Sequence, residues 1–131
     1  MRGLITDVLA LAKSCRDYKA FRKAFQESYC KPVVCDSRET VPAALAMVWF
    51  ARGDPWKAVV LSANFGRDAD TIGCMAGGIC GALTGIGEDD GNRFAPLPDE
   101  ALLEQRKLAL ELVAIHDSKA RAEKAAWSIS M

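Results

Sequence analysis

The sequence predicts an all-α protein, and three observations carry that expectation. No segment alternates apolar and polar residues as a half-buried strand would; apolar residues recur at three- and four-residue spacings through most of the chain; and Asp, Thr, Pro and Gly stand where helices start and stop. With 131 residues, half of them hydrophobic, the chain is sized for one helical bundle domain over residues 1–131, able to bury roughly two-thirds of its unfolded surface.

Leu4, Val8, Leu11 and Ala12, then Tyr18, Phe21, Ala24 and Phe25, fall on helical stripes that two short helices or one bent helix would cover. Lys31 and Pro32 interrupt the pattern, and "VVCDSRET" reads as an extended or looped connection. Thr40 and Pro42 then announce a helix through "AALAMVWFARG", ended by Gly53. Asp54 before Pro55 is an N-cap followed by proline at the first helical position, which explains the Arg52–Gly53–Asp54 tripeptide without an adhesion role. That helix is expected to bury Trp56, Val59, Val60 and Ala63 and to stop near Gly66. A glycine-rich helix follows the aspartates at 68 and 70. "GEDDGNRFAPLP" reads as a polar loop, and Pro98 to about Trp127 as one long or two shorter helices with Leu108, Leu112 and Ile115 on a common face.

Charge and cysteine usage exclude several function classes. Lys plus Arg (17) balances Asp plus Glu (17), so neither nucleic acid nor an anionic membrane surface is an expected partner. Five cysteines form an odd set without a compact framework, and no signal peptide is evident, which points to a reducing, cytoplasmic setting. Cys30, Cys35 and a distant His116 do not make a zinc pattern, and Ser14, Cys15 and that histidine give no nucleophile signature. The uncharged stretch from Thr71 to Gly87 falls short of the usual span of about 20 predominantly apolar residues and lacks basic flanks, so a membrane helix is not expected.

The stretch "ANFGRDADTIGCMAGGICGALTG" is the chemically informative one. Gly73, Gly77 and Gly81 recur every fourth residue although each costs about 1 kcal/mol against alanine inside a helix, so a smooth stripe allowing close backbone approach in the middle of a bundle is the expected compensation. Asp68, Asp70 and Thr71 stand at the start of this helix. They suit capping of its unpaired N–H groups, the usual use of such residues at a helix start, and also a hard cation held by two carboxylates and a hydroxyl. Three oxygen ligands leave an octahedral ion partly open.

The segment from Ser37 to Gly85 resembles the C-terminal part of the ADP-ribosylglycohydrolase family. That family's Pro-Ala-Ala-Leu helix, Ala-x-Asn-x-Gly segment and Asp-x-Asp-Thr box opening a Gly/Ala-rich helix occur here in order as Pro42–Leu45, Ala63–Gly66 and Asp68–Thr71. Arg67 replaces a second glycine found in many members, and Ala69 a common threonine; neither change removes a ligand. The resemblance implies an all-α fold, a binuclear magnesium centre (manganese as an alternative) with Asp68, Asp70 and Thr71 as ligands and Asp70 bridging, and cleavage of a glycosidic bond to ADP-ribose. Asn64 and Gly66 would shape the entering loop, and Arg67 could meet a substrate phosphate, face solvent or pair with a carboxylate.

The family's N-terminal Gly-Asp motif and Thr-Asp-Asp cluster have no counterpart: Gly53–Asp54 precedes a proline, and Asp89–Asp90 follows the glycine-rich helix. Three functions stay open. The chain is a magnesium-dependent hydrolase completed by oligomerisation or a complementary chain, a non-catalytic remnant that self-associates through an uncovered apolar face, or an interaction module using its C-terminal helix.

Overall fold

The computed structural model describes residues 1–85 and 98–129; all but the last residue of the expected polar loop, including Asp89 and Asp90, lies outside them. Six helices and no strand are found among the described residues: α1 (Arg2–Ser14), α2 (Tyr18–Ser28), α3 (Ser37–Ala51), α4 (Pro55–Phe65), α5 (Ala69–Thr84) and α6 (Asp99–Ile129). The protein is all-α, as the sequence predicts. The chain divides into two compact units, Met1–Ile86 and Gly87–Met131.

In the first unit α2, α3 and α4 each start where an aspartate side chain satisfies an exposed N–H group. Asp17 accepts from Ala20 N–H at 2.9 Å, Asp36 from Arg38 N–H at 2.8 Å, and Asp54 from Lys57 N–H at 3.0 Å with Pro55 at the first helical position. The Asp36 cap starts α3 at Ser37, three residues before the Thr40 start that Pro42 suggests. Pro42 is tolerated in the second turn at the loss of one ladder hydrogen bond, and its ring is buried. The helix ends in left-handed geometry at Arg52 (φ 57°) and Gly53 (φ 83°).

Phe21 and Phe25 of α2 and Phe65 of α4 form the centre of the core, and the partly buried Phe50 of α3 packs against it, with Phe21–Phe50 and Phe25–Phe65 centroids each 5.2 Å apart. Val8, Ala12, Met47 and Ile72 close round them. Small residues along α3 (Ala43, Ala44, Ala46, Ala51) let its neighbours approach, and α3 packs against α1, α4 and α5.

Two expectations need correction. The buried face of α4 is Ala58, Ser62 and Phe65, not Trp56, Val59, Val60 and Ala63: Trp56 is half-buried, and the other three are exposed. This helix is apolar on nearly every side, so periodicity alone cannot choose a face. The buried position goes to Ser62 because its hydroxyl donates to the Ala58 carbonyl at 2.7 Å. The second correction concerns α5, which packs on α4 and α3 but keeps one side open. A Cβ at Gly77 would lie 2.9 Å from Val59 Cγ2, so a side chain there would force Val59 to move, whereas one at Gly78 or Gly81 would meet nothing within 4 Å.

The second unit contains α6, a single continuous helix. Leu108, Leu112 and Ile115 do share its surface, but they are exposed, as are Leu103, Leu110 and Val113.

Candidate functional site

The site is built on the three residues joining α4 to α5. Phe65, fully buried, fixes the end of α4, and α2 holds the same end: Tyr18 donates its hydroxyl to the Leu61 carbonyl at 2.7 Å and Arg22 Nε donates to the Phe65 carbonyl at 3.0 Å. Gly66 then adopts φ 79°, ψ −158°, a region essentially restricted to glycine. Arg67 follows at φ 61°, strained for a residue with a side chain.

Arg67 is held there by a buried carboxylate. Its Nε and Nη2 donate to the two oxygens of Glu39 at 2.6 and 2.8 Å, and Nη2 also donates to the Lys31 carbonyl at 2.5 Å. Glu39 is fully buried on α3 and accepts a further hydrogen bond from Lys31 N–H at 2.6 Å. Burial pushes its carboxyl up, but the Arg67 guanidinium and the Lys31 N–H outweigh that and hold it below the usual range. Of the roles open to Arg67, its guanidinium takes the carboxylate pair.

Asp68 occupies the N-cap of α5, yet its side chain caps no backbone N–H. Instead its Oδ1 accepts the Thr71 hydroxyl at 2.9 Å. Asp70 is exposed in the first turn and makes no hydrogen bond or ion pair among the described residues; it lines a shallow depression of about 320 Å³ with Val59, Ala63, Ala69, Gly73 and Cys74. The fold thus brings Asp68 and Thr71 into direct contact and leaves Asp70 facing a small-residue surface. Asn64 lies one turn upstream, exposed, with its amide nitrogen donating to the Val60 carbonyl at 2.8 Å.

These oxygens suit a hard divalent cation as a partial site. The lone pairs of Asp70 and the second oxygen of Asp68 are not consumed by protein donors among the described residues, and the Thr71 hydroxyl, donating to Asp68, keeps its lone pairs for a further partner. Among the described residues no group of three or more His, Cys, Asp or Glu side chains is gathered at one point, so the box offers fewer protein ligands than an enclosed metal centre. A model of the ADP-ribosylglycohydrolase family matches residues 2–122.

The chain belongs to the ADP-ribosylglycohydrolase family. Over 52 residues it is 54% identical to the uncharacterized protein YegU of Escherichia coli (strain K12), a match covering 40% of this chain and 16% of that protein. No solved structure matches.

Burial pushes the Cys30 and Cys80 thiols up, away from thiolate character, and His116 lies exposed on α6 beside Asp117. No described helix is long and apolar enough to cross a membrane. Glu39, Lys31 and Arg22 are the residues that sequence reasoning misses. Glu39 occupies the third position of a helix, where a glutamate ordinarily reads as a capping partner, and only its burial reveals a different role.

Proposed function

We propose that this protein is a cytoplasmic, magnesium-dependent hydrolase of ADP-ribosyl glycosidic bonds whose metal site is completed by a second copy or a complementary chain. The observation that carries the reading is the state of Asp68: an N-cap aspartate that leaves the backbone uncapped and takes the Thr71 hydroxyl instead. Asp68, Asp70 and Thr71 would hold magnesium or manganese, which when bound supplies Lewis-acid charge and an activated water. Thr71 aims the Asp68 carboxylate, Gly66 and Arg67 set the angle at which α5 begins, and Asp70 presents a carboxylate over the depression. A cation there would relieve repulsion between neighbouring carboxylates and orient ribose hydroxyls, while an oxocarbenium-like transition state would gain from nearby negative charge.

The test is calorimetric titration with magnesium and manganese beside Asp68→Asn and Asp70→Asn, followed by assay of ADP-ribose release. Saturable binding lost in both variants supports the site; absence of binding at millimolar ion in the folded protein overturns it.

The alternative, a non-catalytic member that self-associates, draws support from Val59, Val60, Ile79 and Leu83, which leave apolar side chains of α4 and α5 in solvent. A third reading, an interaction module, draws on the exposed leucines of α6. Sedimentation of the chain with and without magnesium separates them: metal-independent oligomers with no ADP-ribose release favour the second.

A further inference from the structure

Among the described residues α6 is the one helix of the second unit, and no other helix of that unit covers it. Its side chains are nevertheless arranged as a seam. Gln105, Leu108, Leu112, Ile115, Lys119 and Ala122 follow one another in alternating steps of three and four, the 3.5-residue average by which two helices pack along each other. All six are exposed, and Leu108, Leu112 and Ile115 each leave half or more of their surface in solvent. The seam is about 26 Å long at the usual rise per residue. A second row, through Leu103, Leu110 and Val113, lies on the opposite side, but two charges, Arg106 and Asp117, interrupt it, against the single Lys119 in the first. A helix in water takes most of its stability from packing its apolar face, so the seam calls for an occupant.

The polar residues of the seam say what the occupant is. In a parallel, in-register pair of α6 helices Lys119 would face its own copy, a like-charge contact in the middle of the interface. Turned antiparallel about a two-fold axis near residues 113 and 114, the same row matches itself. Leu112 then meets Ile115 of the partner subunit, Gln105 meets Ala122 of the partner subunit, and Lys119 lies over Leu108 of the partner subunit. Glu104 and Glu111 stand four residues before and three residues after Leu108, on one flank of the seam, where the Lys119 ammonium of the facing helix needs a carboxylate. By symmetry that pairing occurs twice, and the two helix dipoles oppose each other.

We propose that α6 is a homodimerisation helix, pairing antiparallel with α6 of a second copy through the seam of Leu108, Leu112 and Ile115, with Lys119 answered by Glu104 and Glu111. The match of Lys119 to these two glutamates is a relation within one sequence, which a second copy uses and an unrelated partner does not. The proposal is independent of the metal reading and concerns a different surface from the apolar residues of α4 and α5.

The experiment is sedimentation equilibrium of the full chain in EDTA, which keeps metal-linked assembly out of the reading. A dimer that dissociates on dilution is expected. Leu112→Gln and Ile115→Gln change exposed positions to a residue that also favours helix, and each should weaken the dimer about thirtyfold or more, because each side chain is buried twice. Leu110→Gln on the opposite row and Val60→Gln on α4 should leave it as it is. Lys119→Glu should weaken it about fivefold or more, and adding Glu104→Lys with Glu111→Lys should restore it. A chain that stays monomeric at about 100 μM overturns the proposal, as does a dimer that survives Leu112→Gln and Ile115→Gln or is lost with Leu110→Gln or Val60→Gln. A charge exchange that fails to restore the dimer overturns the antiparallel match.

Discussion

Glu39 and Arg67, 28 residues apart in the chain, meet in a two-pronged ion pair with N–O distances of 2.6 and 2.8 Å. The pair joins the first turn of α3 to the loop that aims the aspartate box, and it carries Arg67 through a left-handed backbone conformation. Removing the buried partner should therefore loosen the loop as well as lower stability. Glu39→Ala is expected to destabilise the protein by about 1.5–3 kcal/mol, the scale of losing hydrogen bonds to a charged group, since the guanidinium it leaves behind is partly exposed. Urea denaturation checks the magnitude. Arg67→Ala should also be destabilising, because it strands a buried carboxylate.

The same carboxylate sets a pH dependence. Glu39 is held below its ordinary value, so its contribution is complete above the ordinary glutamate range and is lost as pH falls through the depressed value. Asp36, which Arg38 holds down to about 2 through side-chain and backbone hydrogen bonds, acts in the same sense on the acid side. Stability should thus be level between pH 7 and 5 and fall on further acidification. Denaturant melts of Glu39→Gln should show a shallower fall, and an equal slope in parent and variant would contradict the assignment.

Much of this architecture is readable from residues alone. Asp54 with Pro55 fixes the start of α4 because proline at the first helical position and an aspartate before it each have one favourable use there. The start of α5 just after Asp68 is legible too, although the Asp68 side chain takes the Thr71 hydroxyl and not a backbone N–H. What periodicity cannot supply is the buried face of α4, where valines and alanines surround the helix and a serine satisfied by its own backbone takes the core position. The Glu39–Arg67 pair is equally hidden, since a contact across 28 residues leaves no spacing to read.

The glycine stripe of α5 separates into required and dispensable positions. Gly78→Ala and Gly81→Ala place a methyl in open space and should each stabilise by about 0.5–1 kcal/mol through helix propensity. Gly77→Ala meets Val59 Cγ2 at 2.9 Å, and the stiff valine rotamer should turn that gain into a loss. Thermal melts of the three variants, with Val59→Ala added to Gly77→Ala, provide the check: the second substitution should recover most of the lost stability. A stabilising Gly77→Ala by itself would mean that α4 and α5 are not packed as closely as described.

Thr71 offers the sharpest separation between capping and metal binding. Its hydroxyl donates to Asp68 rather than to the helix backbone, so the near-isosteric Thr71→Val removes an aiming hydrogen bond and one candidate oxygen ligand while leaving the backbone hydrogen bonds of α5 in place. At an exposed position the stability change should be about 0.5 kcal/mol or less. If the box binds magnesium, affinity should fall at least about tenfold, the scale of losing an orienting partner of a ligand, and Thr71→Ser should restore it. A helix whose box served only as its start would show the reverse pattern, with metal response absent in the parent and all three proteins indistinguishable by calorimetry.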